Sequence, residues 1–133
     1  MTRRDGMARL LTVVNETRGV ILGHRVHEAA SFWARARGLL GRRSLGEGEG
    51  LLLYPCWAIH SYGMRFEFDA LYLHRGYRVV HIIDRMPPNR RGPSMRKRAF
   101  AVLELPAGTA AATKTRVGDQ LALRQGTNPF APE

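Results

Sequence analysis

The chain is poor in several features that usually classify a small protein. It has one cysteine, Cys56, in 133 residues, so no internal disulfide framework can hold it and the secreted mini-protein class drops out. No apolar run approaches the roughly 20 residues of a membrane-spanning helix. The longest runs are Leu10–Val14 and Leu51–Tyr54, and the first is too short for a signal peptide although Arg3 and Arg4 precede it. Repeats, low-complexity tracts and serine- or proline-rich linkers are missing as well. The expectation is one cytoplasmic domain over residues 10–125, with a basic tail at 1–9 and a loose tail at 126–133. Met7 is an alternative start to Met1.

Lysine is scarce too. Two lysines accompany 19 arginines against 11 acidic residues, for a net charge of +10. That balance favours anionic partners, although a GC-rich genome writes basic positions as arginine in any case. Apolar residues make up 44% of the chain, enough to exclude intrinsic disorder. No basic stretch carries interleaved stacking aromatics, so a specific nucleic-acid role is disfavoured on sequence grounds.

What is present is a series of short strand-like segments. Leu10–Val14 and Val20–Leu22 flank a turn, Leu51–Tyr54 stops at Pro55, and Ala99–Leu105 ends at Pro106. Gly118-Asp119 turns the chain into a last strand, Gln120–Leu123. Phe66–Leu73 and Arg78–Ile83 read as a hairpin closed at Arg75-Gly76, which sets Tyr72 against Val79, Ala70 against His81 and Phe68 against Ile83. Val26, Ala29, Ala30, Trp33, Ala36 and Leu40 follow helical spacing, with Gly41 as the stop. The fold class expected is α+β: a mainly antiparallel sheet, curled or partly closed into a barrel, with one amphipathic helix packed on it.

Five blocks then occur in order: Arg37-Gly38-Leu39-Leu40-Gly41-Arg42; Gly48-Glu49-Gly50-Leu51-Leu52; Ile59 to Phe66 followed by Asp69; Val102-Leu103-Glu104-Leu105-Pro106-Ala107-Gly108; and Gly118-Asp119. This series, from about Leu10 to Leu123, resembles the family catalogued as domain of unknown function 192. The resemblance implies a small β-rich domain of bacteria and archaea, and no mechanism. Where many relatives carry Trp-Met-Lys-Asn-Thr this chain has His60-Ser61-Tyr62-Gly63-Met64-Arg65, so a role for His60 would belong to a subgroup.

Several constellations could carry chemistry. Cys56, His60 and Met64 recur at four-residue intervals and offer soft ligands that suit copper, with His24 or His27 to complete a set. Cys56 with His60 as base would suit nucleophilic catalysis, but no hydrolase signature surrounds them. Asp69 interrupts apolar sequence and needs a partner; the expected donors are the Ser61–Met64 turn or an arginine. His60 and Asp69 could also form an acid–base pair. Glu104 is expected to pair with one of the arginines, and His74 to be solvated. Arg85, Arg90, Arg91, Arg96, Lys97 and Arg98 make a basic loop suited to a polyanion.

The function expected is a non-catalytic accessory module that binds an anionic ligand or acidic partner, with a pocket near His60, Met64, Arg65 and Asp69 and no cofactor. The alternatives are an enzyme using His60/Asp69 or Cys56/His60, a copper protein, and a basic nucleic-acid adaptor.

Overall fold

The computed structural model describes residues 9–29 and 44–125. Its leucine-rich and β-branched segments form seven strands: β1 (Arg9–Asn15), β2 (Val20–Ala29), β3 (Glu49–Leu53), β4 (Phe68–Leu73), β5 (Val79–Met86), β6 (Ala101–Pro106) and β7 (Leu121–Gln125). A single turn of helix, α1 (Thr109–Ala112), lies between β6 and β7. The strands make one sheet in the order β5-β4-β6-β3-β2-β1-β7. Every neighbouring pair is antiparallel except β2 and β3. That parallel pair requires a crossover between Ala29 and Glu49.

The sheet curls until its two edge strands touch at one end. Arg78, ahead of β5, bridges Gln120, ahead of β7, and the Leu121 amide donates to the Tyr77 carbonyl at 3.0 Å. The result is a half-barrel. Its inner core takes a side chain from each of the seven strands, among them Val13, Val26, Leu52, Leu71, Val79, Leu103 and Leu121. A second core lies on the other face of the central strands, where Phe68, Ala70, Tyr72, Leu51, Leu53 and Val102 meet Met64 and Met86. β4 and β6 are therefore buried on both faces, which is why they read as continuous apolar runs. Among the described residues, no helix is long and apolar enough to cross a membrane.

Three expectations change. The helix expected from Val26 does not begin there: β2 runs on to Ala29, held by β1 on one side and β3 on the other. Val26 joins the inner core and Ala29 the outer one. Residues three apart on a strand face opposite ways, so a strand covered twice mimics helical spacing at those positions. The rest of that helix (Ala30, Trp33, Ala36, Leu40) falls outside the described residues.

The hairpin register also differs. Tyr72 faces His81, Ala70 faces Ile83 and Phe68 faces Met86. The turn is longer than two residues because the His74 amide bonds the Arg78 carbonyl (3.0 Å) and the Tyr77 amide bonds the His74 carbonyl (2.8 Å), with Tyr77 at φ 67°. His74 organises this turn, its Nδ1 accepting from the Gly76 amide at 3.0 Å. The third change is α1 itself, which the Ala110-Ala111-Ala112 run could have suggested.

Candidate functional site

Asp69 is fully buried on the inner face of β4, beside Leu71, Leu73 and Ala110. Its carboxylate accepts three backbone N–H groups: Arg85 (2.9 Å), Gly108 (3.1 Å) and Ala110 (2.8 Å). Arg85 and Gly108 both adopt positive φ, and Asp69 satisfies the amides that those conformations turn inward. It also caps α1 from a distant strand. The Ser61–Met64 turn and the guanidinium groups, named as donors above, make none of these bonds.

The four residues expected to line one pocket are not brought into one cleft. Met64 is buried in the outer core, across the sheet from Asp69. His60 and Arg65 are exposed. The His60 ring stacks on Tyr62 at 4.8 Å, and its Nδ1 accepts from the Tyr62 amide at 3.2 Å. Cys56 is half-buried against the outer core and donates to the Ala58 carbonyl at 3.3 Å. For the copper alternative, Met64 is committed to the core and the His24 ring packs over Gly48. Among the described residues, no three His, Cys, Asp or Glu side chains gather at one point.

A different constellation does form. Residues 57–61 and 90–95 run antiparallel as a ribbon: the Met95 amide bonds the Trp57 carbonyl (2.8 Å), Gly92 bonds Ile59 (2.9 Å) and Ser61 bonds Arg90 (2.7 Å). Ser61 is the buried hub, its hydroxyl donating to Pro87 at 2.6 Å and accepting from the Arg90 amide at 2.9 Å. Below the ribbon, the Tyr72 hydroxyl donates to the Pro93 carbonyl at 2.9 Å. At one end of the ribbon is a cleft of about 340 Å³ walled by Trp57, Phe100, Arg75, Arg96, Lys97 and Arg98, with no acidic side chain among the described residues that line it. The Arg75 guanidinium lies 4.6 Å above the Phe100 ring, and that of Arg96 lies 6.0 Å from the Trp57 ring. A larger cleft of about 730 Å³, between β2 and Pro106–Thr113, mixes His24 and Arg25 with Glu47 and so has no preferred charge.

The basic loop thus divides. Arg96, Lys97 and Arg98 line the small cleft, while Arg90 and Arg91 stand exposed on the ribbon. Arg85 lies apart, on β5, 3.8 Å from Glu67. Aromatics absent from the basic stretch in sequence reach it in space, which removes the ground on which nucleic acid was disfavoured.

Two further polar groups lie away from this cleft. Glu104, in the middle of β6 between Ala70 and Leu51, is 7% exposed. No donor among the described residues pairs with it, against the arginine partner expected. Burial pushes its carboxyl from the ordinary 4.5 up to about 8. On the same face the Tyr72 phenol is pushed up to about 12, by burial first and then by Cys56, with a smaller contribution from Glu104. The second is a buried polar network. Arg18 grips Asp119 through two nitrogens at 3.0 and 3.2 Å, and Asn15 donates to both Asp119 and Thr115 at 3.0 Å. Burial alone would raise the Asp119 carboxyl, but the bonds from Arg18, Asn15 and the Arg116 amide outweigh it and hold the group below its ordinary value.

The matching of known families decides the chain's lineage: residues 13–123 fit the model of DUF192, described as Uncharacterized ACR. The chain belongs to the DUF192 family. No curated protein matches it. Two solved structures share the half-barrel. One, a protein of unknown function from Novosphingobium aromaticivorans DSM 12444, has a TM-score of 0.72 at 22% identity, covering 92% of this chain and 99% of its own. The other, a "putative transcription regulator" from Sinorhizobium meliloti 1021, has a TM-score of 0.74 at 20% identity, covering 92% and 98%. At these identities the likeness concerns the DUF192 fold alone.

Proposed function

We propose that this DUF192 chain is a non-catalytic binding module whose ligand is anionic and sits in the cleft between Trp57 and Phe100. The observation that carries this reading is the cleft's composition: Arg75, Arg96, Lys97 and Arg98 surround two aromatic walls, and no carboxylate stands among the described residues of the lining. Four cations converging on a concave site raise the local concentration of anions, and guanidinium groups bind phosphate or carboxylate oxygens in pairs. The binding reading is preferred to an enzyme using Cys56/His60 or His60/Asp69 because each member of those pairs has other partners. Residues 10–125 are taken as one folded unit, a boundary supported by the family match over 13–123.

The test is a titration with inorganic polyphosphate, followed by Trp57 emission in a Trp33→Phe background. Binding that weakens steeply with salt, and is lost in the Arg96→Ser/Arg98→Ser double variant with unchanged melting temperature, is the expected result. Equal binding by the double variant would move the site elsewhere. No binding would leave the cleft without a ligand of this class.

A further inference from the structure

We infer that the ligand of this site is single-stranded nucleic acid, lying along the ribbon from the Trp57 cleft to the His60–Tyr62 stack. The inference rests on the anion-site reading above and adds the identity of the anion. Among the described residues, the exposed large hydrophobic side chains are Trp57, Tyr62 and Val117. The first two are aromatic: Trp57 opens the first segment of the ribbon and Tyr62 directly follows its end. They are five residues apart in sequence, at the two ends of the 57–62 segment. The paired segment and its continuation present Arg90, Arg91, Arg96, Lys97 and Arg98 to solvent.

Cations alone would hold any polyanion. The rings narrow the choice. Tyr62 lies nearly parallel to His60, at 27° and 4.8 Å, so the pair forms a flat platform. Trp57 offers its indole within 6.0 Å of the Arg96 guanidinium. Sequence-tolerant binders of single strands combine these two elements, a basic track for the backbone and aromatic faces on which unpaired bases stack. In a duplex the bases stack on one another, so a duplex can use the arginines but not the rings. The larger aliphatic side chains of the ribbon, Ile59 and Met95, are packed against the outer core, so the ribbon has little to insert into a lipid surface beyond the two aromatic rings.

The ribbon is also held in shape before any ligand arrives. Ser61 ties its two segments together. Gly92 lets it lie directly on the Tyr72 hydroxyl, which a methyl group at that position would meet at 2.6 Å. A fixed track costs less conformational entropy on binding than a mobile loop.

The experiment is fluorescence anisotropy of an end-labelled oligodeoxythymidylate of about ten nucleotides. The same strand in a duplex, inorganic polyphosphate and phosphatidylserine-containing vesicles serve as competitors. The single strand is expected to bind at least about tenfold tighter than the duplex, and Trp57→Ala and Tyr62→Ala each to weaken it about tenfold. Neither variant should change competition by polyphosphate, and Trp57→Phe should retain most of the affinity. Arg96→Ser/Arg98→Ser should weaken every anion and lower the salt slope by about 0.7 per lost phosphate contact. If single strand and polyphosphate bind alike and Trp57→Ala changes neither, the nucleic-acid inference falls while the anion site stands. If vesicles compete best and depend on Trp57, the partner is a membrane surface and the inference falls. If no anion binds, both readings fall together.

Discussion

The hydroxyl of Tyr72, a fully buried residue on β4, donates to the carbonyl of Pro93 on the basic ribbon at 2.9 Å. One hydrogen bond thus joins the middle of the sheet to the segment that carries the exposed aromatic and cationic groups. Tyr72→Phe keeps the ring packed against His81 but leaves that carbonyl without its donor. The expected loss is about 1 kcal/mol of stability in urea denaturation, with a larger proportional loss of oligonucleotide affinity. Unchanged affinity would mean that the ribbon holds its shape without this bond.

Gly92→Ala is expected to be worse. The added methyl would overlap the Tyr72 hydroxyl and approach Ile83 at 3.0 Å, so ribbon or sheet must shift. A cost of about 1–3 kcal/mol follows from overpacking of this kind. Combining it with Tyr72→Phe should recover part of that loss, and a strictly additive double variant would show that the clash lies elsewhere.

Asp69→Asn should destabilise the fold by about 1–3 kcal/mol. Three N–H groups converge on the two carboxylate oxygens, whereas an amide offers one oxygen and turns two donors of its own toward them. Thermal melting with intact ligand binding in the surviving folded protein would fit this structural role. A fully stable variant would contradict it.

Glu104 sets an alkaline limit. Its folded-state value, about 8, lies above the ordinary 4.5, so between those pH values the folded chain holds a proton that the unfolded chain releases. Stability therefore falls as pH rises from about 4.5 to about 8 and then levels off, by an amount on the order of a few kcal/mol. Glu104→Gln should flatten that slope and melt higher than the parent at pH 9. A parent whose melting temperature is constant across this window would refute the assignment.

Asp119 acts at the opposite end. Its carboxyl is held below the ordinary 3.8, so the stability it contributes is present above that value and is lost as pH falls through the folded-state value. Asp119→Asn should remove this acid-side dependence and, by weakening the grip of Arg18 and Asn15, cost about 2–4 kcal/mol near neutrality. Acid titration of both proteins, followed by circular dichroism, reads the difference.

The strand segments and the family were legible in the sequence, because apolar runs bounded by Gly, Pro and Asp reflect local backbone preferences. So was the burial of Asp69, from its apolar flanks. Its partners were not, since Gly108 and Ala110 lie about 40 residues away and are positioned by the β4–β6 pairing. The hairpin register failed for two local reasons: Tyr77 adopts the left-handed conformation that turn chemistry reserves for Gly or Asn, which conceals one extra turn residue, and a register shift between Tyr72 and Leu73 adds a second step. The aromatic and basic groups of the ribbon are separated by 39 positions between Trp57 and Arg96, so no linear pattern could join them. Glu104 looked like an ordinary ion-pair member, because alternation reports the face a residue occupies and not whether a cation shares it.

The pairing of β1 with β7 sets Leu11 directly opposite Gln125, on strands about 4.8 Å apart. The first and last described strands therefore leave the half-barrel side by side, like the two legs of a hairpin. A few residues of linker between them would close the chain into a ring without breaking any rung of the ladder. The same two legs would let the whole unit be grafted into a surface loop of a host protein through one narrow attachment. Binding at the ribbon could then be read out through the host.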